Sequence, residues 1–159
     1  MSPRRITVST AGIAKMIKKL GDDEVKFNLA LSLHAANDEK RNKIMAINES
    51  TNLAALSQAL VYFQSKTGRR ITFEYIVFND FNDELSDAKE LAEFCKAVAC
   101  KINLIEYNPI EGGNFRNAKK DKIDKFSEFL ESRNLIVNVR RSRGKDIDAA
   151  CGQLATKES

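Results

Sequence analysis

Residues 28–34 read Asn-Leu-Ala-Leu-Ser-Leu-His, and the fold turns on this stretch. In an extended chain successive side chains alternate between faces. Leu29, Leu31 and Leu33 therefore share one face, and Ser32 and His34 share the other. The leucine face must be packed against helices. The Ser/His face points into a crevice or a barrel interior. A strand buried behind and polar in front, with its polar groups at its carboxyl end, is the arrangement in which parallel α/β folds bind ligands.

Four more segments read as strands: 5–10 (RITVST), 71–78 (ITFEYIVF), 101–107 (KINLIEY) and 135–140 (LIVNVR). β-branched and large apolar residues dominate them. Helical periodicity fills the gaps. Ile13, Met16, Ile17 and Leu20 mark a first helix that Gly21 is expected to stop. Asn37 caps a short helix running towards Met45. Leu53, Leu56, Leu60 and Phe63 mark a long helix ending near Gly68, and Leu85, Ala88, Leu91, Ala92 and Cys95 another. Ile123, Phe126 and Leu130 mark the last. Strand and helix alternate throughout, which predicts an α/β fold with a parallel sheet and right-handed crossovers. An open doubly wound sheet and a segment of a barrel both satisfy that order.

The chain has 159 residues, enough for one domain with a real core. With 43% hydrophobic and 30% charged residues it is neither disordered nor collagen-like. It holds no apolar run of membrane-spanning length and no signal-type leader, so a cytoplasmic protein with no membrane partner is expected. Net charge is +4, but residues 116–145 carry ten basic and four acidic side chains. This basic third is compatible with a polyanion partner, but on charge alone a solvated lysine-rich helix face is the favoured reading. Three cysteines and one histidine argue against a disulfide framework and against a zinc site.

Each candidate residue has a plain structural alternative. His34 either contacts a ligand or is a hydrogen-bonded strand-end histidine. Glu74, in the middle of a strand, either faces a cationic or hydroxylic ligand or pairs with Arg69 or Arg70. Asn108, before Pro109, offers a donor and an acceptor, or merely makes a turn. Cys151 lies among small residues beyond Arg140, Arg141 and Arg143, which favours an accessible thiolate; the alternative is an ordinary tail cysteine. Cys95 and Cys100 read as structural. Without a Gly-x-Ser-x-Gly elbow, hydrolase chemistry has little support.

Taken in order, Arg4-Arg5-Ile6-Thr7-Val8-Ser9-Thr10, Leu31-Ser32-Leu33-His34-Ala35, Asn37-Asp38-Glu39, Phe73-Glu74-Tyr75, residues 100–105 (CKINLI), Asn108-Pro109 and residues 143–154 (RGKDIDAACGQL) resemble a known family. They look like the C-terminal half of the radical S-adenosylmethionine (SAM) methyltransferases that methylate adenine in 23S rRNA and tRNA. The resemblance spans nearly the whole chain, and the Asp-Ala-Ala-Cys-Gly-Gln-Leu run is its most specific part. It implies a partial (β/α) barrel of the radical SAM type, incomplete on its N-terminal side, with residues 141–159 forming a cysteine-bearing loop. It implies SAM contacts at Ser9, Ser32, Leu33, His34 and Asn108. It makes Cys151 the catalytic methyl carrier, activated by a radical derived from a second SAM, with C2 of adenine as acceptor. The partners implied are 23S rRNA, tRNA and the missing half of the barrel.

The departure from the pattern is equally clear. The Cys-x3-Cys-x2-Cys loop that holds the family's 4Fe-4S cluster is absent from this sequence. Cys95, Cys100 and Cys151 do not have that spacing. The chain alone is therefore expected to hold no metal and to be inactive. A C8-methylating enzyme, and a non-catalytic basic module that binds RNA or a nucleotide, are the alternative readings.

Overall fold

The structure, a computed structural model, describes residues 6–107 and 116–141. Its elements alternate as expected: β1 (Thr7–Thr10), α1 (Ala14–Asp22), β2 (Asn28–Ser32), α2 (Asp38–Ile44), α3 (Leu53–Thr67), β3 (Ile71–Val77), α4 (Leu85–Cys95), β4 (Cys100–Glu106), α5 (Lys120–Ser132) and β5 (Ile136–Arg141). A 3-10 turn at Ala46–Glu49, which has no periodicity to betray it, joins α2 to α3.

All strand pairs are parallel, and the strands lie in the order β1-β2-β3-β4-β5. This order decides between the two architectures. Right-handed crossovers that always step the same way place every connecting helix on one face of the sheet. A doubly wound sheet reverses direction and covers both faces. Here one apolar cluster joins Leu29, Leu31, Leu33, Phe73, Tyr75 and Ile102 to buried residues of α1, α3, α4 and α5. The sheet is therefore a segment of a barrel wall, with β1 and β5 as its edges among the described residues.

The other face is polar. Register aligns Ser9, Ala30, Thr72 and Lys101 in one row, and Ser32, Glu74, Asn103 and Asn138 in the next. Closer to the carboxyl ends Ile76, Phe78, Tyr107, Phe81 and Ile105 form a small apolar cluster.

Local sequence explains most helix ends. The Asn37 side chain accepts from the Lys40 amide at 3.2 Å, and Asp38 and Glu39 sit favourably in the first turn of α2. The Asn52 side chain caps α3 by accepting from the Ala55 amide at 2.9 Å. Asp87 accepts from the Glu84 amide at 3.1 Å at the start of α4. Gly21 corrects the expectation that it ends the first helix. It lies inside α1 and is buried, and a Cβ there would stand 3.2 Å from Cα of Phe63. The glycine permits α1 to approach α3 closely; it does not stop the helix. No helix among the described residues is long and apolar enough to cross a membrane.

Candidate functional site at the carboxyl ends of the strands

β1 and β2 carry the candidate ligand contacts. Ser9 pairs in register with Ala30, so its side chain shares the polar face with Ser32 two residues on. Glu74 is the register partner of Ser32, and Asn103 is the partner of Glu74. No hydrogen bond or ion pair joins Glu74 to Arg69, Arg70 or any other side chain among the described residues. The structure thus discards the salt-bridge reading of Glu74 and leaves a half-buried carboxylate beside Ser32.

His34 departs from the simple alternation. β2 ends at Ser32, and His34 has φ of 57°, a left-handed conformation that the strand cannot continue. The cause is a competition for backbone partners. The Leu33 and His34 amides both donate to the Glu74 carbonyl, at 2.9 and 3.4 Å. The Ser32 and Leu33 carbonyls accept from Arg41 instead of from the neighbouring strand. Ser32 and His34 are therefore not successive members of one strand face, although both stand at its carboxyl end. The imidazole is 2% exposed, and its Nδ1 accepts from the Ile76 amide at 3.0 Å. That bond places the proton of neutral histidine on Nε2, a buried donor with no partner in the structure. Burial, aided by the Arg41 charge, lowers the imidazole pKa to about 3, so the ring is neutral.

Arg41 was hidden in the sequence within the polar run Asp38–Lys43, and it is the best-connected residue of the site. It is fully buried. Its Nε donates to the Leu33 carbonyl at 3.0 Å, Nη1 to Asn48 Oδ1 at 2.9 Å, and Nη2 to the carbonyls of Ala11 (2.8 Å) and Ser32 (3.0 Å). One guanidinium thus ties the ends of β1 and β2 together. Burial lowers its pKa to about 10, with Asp38 opposing the shift. Gly12 adopts φ of 109° directly beside it, and a Cβ there would lie 3.3 Å from Nη2.

Asn82 does the same for β3. Its amide donates to the His34 and Ile76 carbonyls at 2.7 and 2.8 Å, and its Oδ1 accepts from the Phe78 amide at 2.7 Å. The Tyr75 hydroxyl donates to the Asn82 carbonyl at 3.0 Å. Both Arg41 and Asn82 were missed from sequence. The only local signal was a polar residue at a position with no exposed face to occupy, and that position was legible only once the fold was known.

Two groups flank this centre. Asp80, Asp83 and Glu84, after β3, stand close enough to hold a cation, but the Lys122 ammonium already lies 3.7, 3.4 and 2.8 Å from them. Their negative charge, led by the Glu84 contact, raises the Lys122 pKa. The Tyr107 amide donates to Asn117 Oδ1 at 3.0 Å and the Asn79 amide to the Arg116 carbonyl at 2.8 Å, fixing the chain on either side of residues 108–115. Asn108 and Cys151 lie outside the described residues. The basic third is divided: Lys122 is taken up in the acidic group, and Arg133 stacks over Phe129 at 5.0 Å. Arg116, Lys119 and Lys120 remain exposed near the carboxyl ends, where α5 begins.

The donor set fits SAM in part: hydroxyls at Ser9 and Ser32, a carboxylate at Glu74, and an orphaned buried N–H at His34. It does not fit an iron–sulfur cluster. Cys95 ends α4 and Cys100 opens β4, so both lie at the end of the sheet opposite His34.

An open parallel α/β sheet with a polar inner face, a segment of a barrel, defines the class of fold. A solved radical SAM methyltransferase from Sphaerobacter thermophilus superposes with a TM-score of 0.87 and 39% identity, over 97% of this chain and 45% of that one. A domain of a pyruvate-formate lyase-activating enzyme from Bacteroides vulgatus shares the fold, with a TM-score of 0.63 at 12% identity over 84% of this chain and 79% of that one. In sequence the chain corresponds to the C-terminal half of the radical SAM methyltransferases of the RlmN kind. The Cytophaga hutchinsonii protein described as a probable dual-specificity RNA methyltransferase RlmN is 61% identical over 99% of this chain and 43% of its own length. Its counterparts in Christiangramia forsetii and Staphylococcus aureus are 57% and 45% identical, over 100% and 98% of this chain and 45% and 43% of their own lengths. The chain thus spans less than half the length of these relatives. No protein-family model matches it.

Proposed function

We propose that the chain is the SAM-binding and RNA-facing part of an RNA methyltransferase that modifies C2 of adenine in 23S rRNA and tRNA. The observation that carries this reading is the 61% identity with the Cytophaga hutchinsonii relative across 99% of the chain. The geometry supports it at the level of the cofactor. Ser9 and Ser32 present hydroxyls on the concave face, and the backbone at Leu33 and His34 turns away from the sheet beside them. The His34 Nε2–H gains an acceptor when a ligand is bound, which removes the cost of a buried unpaired donor. Glu74, beside Ser32, accepts from a ligand hydroxyl or ammonium. By the same resemblance Asn108, which follows β4 in sequence, belongs to the set.

When bound, SAM supplies the methyl group. The chain's own residues orient it: Arg41 and Asn82 fix the backbone that carries the contacts, so the pocket is set before the ligand arrives. Cys151 is the methyl-carrying thiol, and Arg116, Lys119, Lys120 and Arg140 meet RNA phosphates. The Cys-x3-Cys-x2-Cys spacing is absent from this sequence, so the isolated chain is inactive without a portion that supplies the cluster ligands.

The test joins this chain to the portion of the Cytophaga hutchinsonii relative that lies outside the matched region and assays 23S rRNA and tRNA transcripts by nucleoside mass spectrometry. The expected product is 2-methyladenosine, lost on Cys151→Ala. Formation of 8-methyladenosine would assign the chain to the other branch. Methylation that survives Cys151→Ala would remove the carrier role.

A further inference from the structure

We propose that Cys95 and Cys100 form a reversible disulfide, which makes the amino-terminal end of β4 a thiol-oxidation site. Cys95 is the last residue of α4 and Cys100 the first of β4. The intervening residues 96–99 return the chain so that both thiols face the core on the leucine side of the sheet, where Cys95 is buried and Cys100 packs against it. The Cys100 thiol donates to the Cys95 carbonyl at 3.7 Å, which places its sulfur against the residue that carries the other thiol. Neither is used by the site described above: β4 separates them from its carboxyl end by about 20 Å.

The two sulfurs are not equivalent. Cys95 is 3% exposed, and contact with Cys100 together with burial pushes its thiol pKa up. Cys100 is half-buried, and contact with Cys95, helped by the Arg70 charge and opposed by burial, holds its thiol below the usual range. A half-buried sulfur beside a fully buried one gives an outside disulfide one thiol to reach first and leaves the other to resolve the exchange. With a low-molecular-weight disulfide as oxidant, the Cys100 thiolate attacks one of its sulfurs. A mixed disulfide forms and one small thiolate leaves. The Cys95 sulfur, losing its proton, then attacks Cys100 and expels the second small thiol. Two protein thiols are oxidised and one small disulfide is reduced to two thiols. The product staples the end of α4 to the start of β4.

The test uses the full chain carrying Cys151→Ser, so that no other thiol competes. It is equilibrated with oxidised and reduced glutathione, alkylated and digested with trypsin. Cleavage after Lys89, Lys96 and Lys101 puts the two cysteines in separate peptides, residues 90–96 and 97–101. The expected product is these peptides joined by a disulfide in a monomeric chain, favoured at least about tenfold over the same chain unfolded in urea. Arg70→Ala slows the first attack several-fold without changing which peptides are joined. A stable glutathione adduct on Cys100, unmodified thiols, or a yield no greater than in urea would each overturn the proposal.

Discussion

Acid should weaken this fold through His34 in a way that can be isolated. The unfolded chain binds a proton at that imidazole near pH 6.5, and the folded chain only near pH 3. The contribution of the neutral ring is fully present above pH 6.5 and is lost as pH falls towards 3. Carried to completion the loss is about 5 kcal/mol, and at pH 5 it is about 2 kcal/mol. Domains of this size have a total stability of about 5–15 kcal/mol, so the effect is large. The matching variant is His34→Asn. Asparagine tolerates φ of 57°, and its side-chain oxygen can accept from the Ile76 amide in place of Nδ1. Carboxylates shared by the two proteins cancel in the comparison. Urea unfolding at pH 7.5 and pH 5.0 should show the wild-type chain losing about 2 kcal/mol more than the variant. Equal losses within about 0.5 kcal/mol would show that His34 is not held neutral by its surroundings.

Other expectations follow from the same strand ends. Arg41→Met keeps much of the stem volume but removes all four hydrogen bonds, and should cost about 3–5 kcal/mol in urea unfolding. Gly12→Ala forces a side chain into φ of 109° beside Arg41, and should lower stability by about 1–3 kcal/mol, measured as a lower melting temperature. β1 is an edge strand among the described residues, with Ile6 and Val8 exposed, so the chain should self-associate at high concentration in sedimentation experiments. Val8→Lys should return it to monomer.

The strands were legible because their chemistry is local. Leu29, Leu31 and Leu33 alternate, and the five expected segments fall within two residues of the observed ends. The order of strands was not legible, because alternation of strand and helix is the same in a barrel and in a doubly wound sheet. Only the pairing of β1 with β2, and so on to β5, separates them. Gly21 misled for a similar reason: glycine as a helix stop is a local rule, and the approach of Phe63 is a tertiary fact. The candidate site divides along the same line. Ser9, Ser32 and Glu74 were singled out by position on a strand, and the register brings Ser32 and Glu74 side by side. Arg41 and Asn82 could not be found, since a buried polar residue is recognised by the carbonyls and amides it satisfies. Those lie at the carboxyl ends of β1, β2 and β3, and the links that matter most, Arg41 to Ala11 and Asn82 to His34, span 30 and 48 residues of sequence.

Sequential strand order has a consequence for how such a unit is built. Each strand's partner is the strand just before or just after it, so no pairing waits for more than one crossover. During synthesis β1 and β2 can meet as soon as β2 has emerged behind α1, and each later αβ unit adds to a template already standing. The wall grows in the direction of translation, one stave at a time, and its growing edge is always the most recently made strand.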